Sequence, residues 1–180
     1  NVWMGAESGS QKILDAMDKG TTVPQIFQAT ALLKKNGINP SFFIQFGYPG
    51  ETREDIRKTI HMINQLLPYE LGVSVAYPLP GTLFYEKVKT QLREKSNWTD
   101  SDELALMFRN SFAPAYYKQL HRFVHKNYQK HLALQIVRQL ITKPARASWH
   151  QIRKAISLLY YIPASWLSSI RLKKLDFYNK

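Results

Sequence analysis

No cysteine occurs anywhere in the 180 residues. Disulfides and thiolate metal sites are therefore excluded within the chain. No run of about 18 apolar residues occurs either, which excludes a membrane-spanning helix. Acidic residues are scarce in one half only. Residues 1–100 hold 11 Lys+Arg and 10 Asp+Glu, whereas residues 101–180 hold 14 and 3. So sharp a break suggests two modules, an electrostatically ordinary one over 1–95 and a basic, aromatic-rich extension over 96–180. No signal or transit segment precedes the first strand-like run, Asn1-Val2-Trp3-Met4, and the expectation is a C-terminal piece of a longer polypeptide.

Three short Gly/Pro loops follow strand-like runs. They are Gly5-Ala6-Glu7-Ser8-Gly9-Ser10, Gly47-Tyr48-Pro49-Gly50-Glu51-Thr52 and Tyr77-Pro78-Leu79-Pro80-Gly81-Thr82. Helical stretches separate them, so strand, loop and helix repeat three times. That grammar predicts a parallel α/β fold, with the chemistry in the loops after the strands. The strands are expected at Val2–Ala6, Ser41–Phe46 and Leu71–Ala76. Ser41–Phe46 is almost continuously apolar, as a strand covered on both faces would be. Ser10 is expected to cap a helix over Gln11–Asp18 that ends at Lys19-Gly20. Thr22 and Pro24 open a second helix, with Ile26, Ala29, Leu32 and Leu33 on one face. Thr52 and Asp55 form a capping pair entering Arg53–Leu67, and Leu83–Glu94 is a further helix. Beyond Thr99–Asp102 the pattern turns wholly helical: Leu104–Phe108, Pro114–Thr142, Trp149–Tyr161 and Ser165–Leu175, with breaks at Lys143-Pro144 and Pro163.

The strand-end loops hold the candidate binding residues, each with a structural alternative. Glu7 follows the first strand and can meet ligand hydroxyls or amines. Lys19 can fold toward the same mouth and pair with a carboxylate or phosphate, or be a solvated helix-end lysine. Ser8 is a ligand contact or a turn former. Gln45, between Ile44 and Phe46, needs a polar partner, supplied by a ligand or by the core. The Gly47–Gly50 turn lets backbone approach a ligand or merely tightens a strand-to-helix turn. Glu51 reads as a helix N-terminal charge. In Tyr77-Pro78 the loop presents backbone to a flat ring or ends a strand. His121 and His125 lie four apart on one helix, a metal pair without a third ligand nearby or two amphipathic-helix histidines.

Taken together, Gly-Ala-Glu-Ser-Gly-Ser at 5–10, Lys19-Gly20, Phe-Ile-Gln-Phe-Gly-Tyr-Pro-Gly-Glu-Thr at 43–52 and Tyr-Pro-Leu-Pro-Gly-Thr at 77–82 resemble the second half of a radical S-adenosylmethionine (SAM) core. The likeness spans about residues 1–95. It is nearest the branch with a cobalamin-binding domain, which includes the anaerobic magnesium-protoporphyrin ester cyclase-like proteins. The resemblance implies strands four to six of a partial TIM-type barrel of six βα units, followed by an α-helical extension. It implies SAM contacts at Glu7, Ser8, Lys19, Ile44, Gln45, Gly47, Tyr77 and Pro78, and no catalytic or metal-binding residue in this chain. Where some relatives carry an acidic ribose contact, this chain has Phe43. The [4Fe-4S] cluster would be held by cysteines in the upstream half of the same polypeptide, and cobalamin, where used, also outside this chain. Alone the chain is expected to be inactive and poorly stable.

The implied activity is reductive cleavage of SAM to start radical chemistry on a small-molecule substrate, with cyclisation or methylation as outcome. Radical SAM modification of RNA is the first alternative; a non-catalytic α/β binding or scaffold module is the second. The expected location is cytoplasmic. Trp166, Leu167, Ile170, Leu172 and Leu175 accompany Arg171, Lys173 and Lys174, so the last helix is expected at an anionic membrane surface. Nucleic acid or a solvated helical cap are the competing readings.

Overall fold

The computed structural model describes residues 1–92, 108, 111–142 and 148–177. Three parallel strands, β1 (Val2–Glu7), β2 (Pro40–Phe46) and β3 (Leu71–Val75), form one sheet in the order β1-β2-β3. The fold class is α/β, because parallel neighbours need a crossover between them and a helix supplies each one. On β2, Phe42, Ile44 and Phe46 are buried, while Phe43 between them is 51% exposed. The expected cover on both faces is therefore absent among the described residues. Phe43 instead stacks on Trp3 with ring centroids 4.5 Å apart, on the open face of the sheet. A continuous apolar run does not separate a doubly covered strand from one whose second face carries aromatics.

The helices of this part are α1 (Gln11–Ala16), α2 (Val23–Lys35), α3 (Arg53–Leu66) and α4 (Leu83–Val88). Thr22 with Gln25 and Thr52 with Asp55 form reciprocal capping boxes, and the Thr82 hydroxyl accepts from the Tyr85 amide. Three expectations change. α1 stops at Ala16, because Asp18 takes a left-handed φ of 55°, which leaves Lys19 outside the helix. α4 stops at Val88 and tightens into a 3-10 turn over Lys89–Gln91. On α2, Ile26 and Thr30 are buried, whereas Leu32 is 53% exposed.

One polar knot ties the loop ends together. Ser10, expected as a side-chain cap, makes no such bond; its hydroxyl donates to Asp55 Oδ1 at 2.6 Å. Asp55 Oδ2 accepts from the Thr52 amide at 2.9 Å and the Thr52 hydroxyl at 2.6 Å, and Lys12 Nζ lies 3.4 Å away. Next to it, Ser8 Oγ and Thr59 Oγ1 are 3.1 Å apart, and the Gly9 amide donates to Thr59 Oγ1 at 3.0 Å. Here the loop after β1 crosses α3 so closely that a Cβ on Gly9 would lie 2.6 Å from the Lys58 carbonyl oxygen. No side chain fits there without moving backbone.

Contacts divide the chain into residues 1–118 and 119–180. Helix α5 (Pro114–Thr142) starts in the first unit and runs on in the second, followed there by α6 (Trp149–Ile156) and α7 (Leu158–Phe177). The expected break at Pro163 does not occur: Pro163 lies inside α7. It sits on the exposed side, where water can satisfy the carbonyl it leaves free. Trp149–Tyr161 and Ser165–Leu175 are instead divided at Ser157. The expected Leu104–Phe108 helix, apart from Phe108, the Thr99–Asp102 cap, the Lys143-Pro144 break and the 95/96 boundary all lie outside the described residues.

Burial would raise the Asp55 pKa, but its bonds from Ser10 and Thr52 outweigh this and hold the carboxyl well below the usual carboxylate range. A depressed pKa adds stability above the ordinary value of 3.8 that is lost as pH falls through the folded value. Asp55→Asn in the full-length protein is expected to lose about 1.5–3 kcal/mol at neutral pH, the usual worth of charged hydrogen bonds. Chemical denaturation across the acid range should show a shallower loss of stability in the variant than in the parent.

Candidate functional site

The loops at the carboxyl ends of the strands border a cavity of about 590 Å³. Lys19, Gln45 and Tyr77 all line it, joined by Asp15, Asp18, Tyr48, Phe84 and Lys87. Each of the first three comes from the end of a different βα unit. Lys19 reaches it because Asp18 turns the chain out of α1. Gln45 reaches it because β2 alternates, placing 45 on the face opposite Ile44 and Phe46. Tyr77 follows β3 by two residues. The aromatic rings form one wall: Tyr48 and Phe84 have centroids 4.9 Å apart.

Glu7 borders this cluster through an ion pair. Lys19 Nζ lies 2.9 Å from Glu7 Oε1, with the Glu7 side chain 15% exposed and that of Lys19 43% exposed. A register shift between Gly5 and Glu7 and a left-handed φ of 53° at Glu7 turn this carboxylate over Gly5. A Cβ at residue 5 would lie 2.8 Å from Glu7 Oε1, so only glycine leaves the carboxylate its place. Backbone strain of this kind at a non-glycine residue costs of order 1 kcal/mol or more and persists where surroundings hold it.

The other expected contacts sit apart from the cavity wall. Ser8 is fully buried, its hydroxyl shared with Thr59 and accepting from the Ser10 amide at 3.1 Å. Ile44 is buried on the covered face of the sheet. Pro78 is buried behind Tyr77. Gly47 has φ 80°, and its amide donates to Glu51 Oε2 at 2.6 Å. His121 and His125 have ring centroids 4.4 Å apart, and no group of three metal-ligating side chains is found among the described residues.

Glu51 is where sequence reasoning fell short. Expected as a charge at a helix N-terminus, it is fully buried and braces the Gly47–Gly50 turn from inside. Burial, with the Asp55 charge nearby, pushes its pKa up to about 8 against the lowering effects of the Gly47 amide and Lys12. Glu51 Oε1 and the buried Tyr117 hydroxyl have no hydrogen-bond partner among the described residues. Burial and the Glu51 charge also push the Tyr117 phenol up. The cavity residues Asp15, Asp18, Tyr48 and Lys87 were missed as well; an aspartate just before Lys19-Gly20, able to take the left-handed turn, was the available signal.

No family model matches the chain. An uncharacterised methyltransferase of Pyrococcus horikoshii is 34% identical over 98 residues, which is 54% of this chain and 21% of that protein. A tRNA-2-methylthio-N(6)-dimethylallyladenosine synthase of Sulfurihydrogenibium sp. is 40% identical over 79 residues, 42% of this chain and 18% of that one. A protein of Methanocaldococcus jannaschii described as a methylthiotransferase is 28% identical over 162 residues, 88% of this chain and 36% of that one. The likeness is to radical SAM enzymes. It reaches the superfamily and does not extend to the cobalamin-binding, cyclase-like branch or to a complete barrel. The chain spans about a fifth to a third of the length of these relatives.

The raised pKa of Glu51 fixes the sign of its pH effect. A carboxyl with a folded pKa of about 8 and an ordinary value of 4.5 holds its proton in the folded state across that range. Its contribution to stability is full below 4.5 and is lost as pH rises toward 8. Glu51→Gln in the full-length protein keeps a neutral acceptor for the Gly47 amide. Thermal unfolding followed over this range should show the variant losing less stability than the parent as pH rises.

Proposed function

We propose that this chain forms one side of the SAM pocket of a radical SAM enzyme that transfers a methyl or methylthio group to RNA. The observation that carries the pocket is the convergence of Lys19, Gln45 and Tyr77 on one cavity beside the Glu7–Lys19 ion pair. The donor set suits the ligand. SAM ends in an amino acid, with a carboxylate for Lys19 and an ammonium for Glu7, and carries a flat adenine for the aromatic wall. Charged hydrogen bonds of this kind are the strong ones.

Bound SAM, reductively cleaved at an iron–sulfur cluster, supplies the radical in this superfamily. The chain has no cysteine, so thiolate ligands of such a cluster would lie outside it. Within this chain, Lys19 and Glu7 bind and orient the amino-acid end of the cofactor, and Tyr77, Tyr48 and Phe84 exclude water from the ring. Gln45 offers an amide to a polar edge. None of these residues takes part in bond breaking.

Two facts support RNA over the small molecule expected first. Several matched relatives are named as tRNA methylthiolation synthases, and residues 104–175 contain 13 Lys+Arg with no Asp or Glu. Backbone phosphates are attracted by such a charge balance. The names of the matched relatives point to group transfer, not to oxidative cyclisation.

Lys19→Ala in the full-length, cluster-loaded enzyme is expected to weaken SAM binding by about 10- to 100-fold, since losing a charge partner costs roughly 1.5–3 kcal/mol. Glu7→Gln should weaken it less, because a neutral acceptor remains. Equilibrium binding of SAM measures both, and unchanged affinity in the two variants removes the pocket assignment. The RNA assignment is checked separately, by mass spectrometry of nucleosides from total RNA of cells with and without the gene. No SAM-derived modification lost on deletion would count against it.

A further inference from the structure

α6 and α7 behave almost as one helix. Ser157 between them keeps helical angles, its amide donating to the Arg153 carbonyl at 3.1 Å and its carbonyl accepting from the Tyr161 amide at 3.0 Å. Along this rod the distribution of polarity is inverted. The buried row is small and hydroxylated: Ser165 and Ser168 are 4% and 2% exposed. Gln119 Nε2 donates to the Ser168 carbonyl at 2.9 Å and lies 2.8 Å from its hydroxyl. Ile170, Leu172 and Leu175, expected on the membrane-facing side, are half-buried, but several other large apolar residues face out. Trp149 is 70% exposed, Ile156 57%, Leu159 80%, Tyr160 61% and Trp166 63%.

Spacing makes these one surface. Positions 149, 153, 156, 160, 163, 167 and 174 are three or four apart, apart from a single double step, and every one is exposed. Such residues share a helix face. The exposed cations Arg171, Lys173 and Lys174 stand at its carboxyl end, and Arg153 near its amino end. No acidic residue occurs between 104 and 175. No helix among the described residues is long and apolar enough to cross a membrane.

We infer that the outer face of α6 and α7 lies flat on an anionic lipid bilayer, with its aliphatic and tryptophan side chains in the interface and its cations against the headgroups. Three features select a lipid surface. The face is too apolar for solvent, since isolated exposed hydrophobics are ordinary but a contiguous row marks an interaction site. It is linear and rimmed by cations of one sign, which suits an anionic plane and in-plane helix binding. Nucleic acid would be tracked by exposed cations along its whole length, whereas between Lys154 and Arg171 no Lys or Arg occurs and the exposed side chains include Ile156, Leu159, Tyr160, Trp166 and Leu167. The inference is independent of the RNA reading, because α5 has its own exposed cations at Arg122 and Arg138.

The test uses the full-length protein and two vesicle types, phosphatidylcholine alone and phosphatidylcholine with phosphatidylglycerol. Co-sedimentation should be strong on the anionic vesicles only, and added salt should weaken it. Arg171→Gln, Lys173→Gln and Lys174→Gln together should reduce anionic-vesicle binding about a hundredfold, at roughly fivefold per surface cation. Leu159→Ser with Trp166→Ser should abolish it. Both sets lie on exposed positions, and unchanged circular dichroism confirms that the helices persist. A Trp166-dependent blue shift of fluorescence on vesicle addition reports insertion of the face itself. Three results overturn the inference: equal recovery on neutral and anionic vesicles, RNA binding that needs this face without vesicle binding, or a Trp166 already shielded from aqueous quencher in the vesicle-free protein. The last would mean that another part of the polypeptide covers it.

Discussion

The arrangement of the strand-end loops depends on one carboxylate. Asp55 takes hydrogen bonds from both the Thr52 amide and hydroxyl and from Ser10, and it has Lys12 close by. Ser10 belongs to the loop after β1 and Thr52 to the loop after β2, so a single side chain fixes where α1 and α3 begin relative to each other. Lys12 extends the tie by donating to the Gly50 carbonyl at 2.8 Å. α1 has only six residues and no capping bond of its own. A helix that short is not stable by propensity. Its start is held by Asp55, and its end by Tyr48, whose hydroxyl donates to the Ala16 carbonyl at 2.7 Å.

That anchoring carries through to the cavity. With α1 pinned at both ends, Asp18 and Lys19 leave it in a set direction, and Lys19 meets Glu7 across the gap. Glu7 holds a left-handed backbone angle that costs energy, and the bulge after Gly5 commits its side chain to that side. The ion pair is half-solvated, so its own worth to stability is small. It is better understood as geometry: two opposite charges held near each other beside an aromatic wall, ready to exchange one another for the ends of a zwitterion. Glu51 plays a different part beneath. Kept largely protonated at neutral pH by burial, it closes the Gly47 turn without bringing a charge to the cavity.

The parallel α/β grammar was legible because punctuation is local. Thr22, Thr52 and Thr82 each precede a helix and each caps it, and the strands ended within a residue of where the loops predicted. Pro114 opened α5, which runs through the apolar spacing expected for it. What was not legible required tertiary knowledge. Nothing local distinguishes Glu51, buried under a turn, from a solvated charge at a helix start. Ser10 has the capping residue type and helix-entry geometry, yet its hydroxyl is claimed by a carboxylate 45 positions away. The cavity lysine and tyrosine could be named from their loops, but Asp15 and Lys87, from opposite ends of the unit, could not be joined to them without the fold.

The second unit shows the same limit from the other side. Pro163 is a reliable helix breaker only where the lost hydrogen bond has no substitute. Pro163 lies on the exposed side of α7, where solvent can provide one, and the helix continues, so the two short segments expected from sequence become one long face. Amphipathicity then misleads in a further way. The usual assumption puts large apolar residues inside, but here Gln119 holds Ser168 by both its carbonyl and hydroxyl. Ser168 is tied to α5 through Gln119, while the Ser165 hydroxyl donates within α7 to the Ile162 carbonyl at 3.0 Å. Leu158, Tyr161, Ile170 and Leu172 are half-buried beside these serines, while Leu159, Trp166 and Leu167 stay exposed. The helix thus carries apolar residues on more of its circumference than its buried side takes up, and the remainder forms the exposed row.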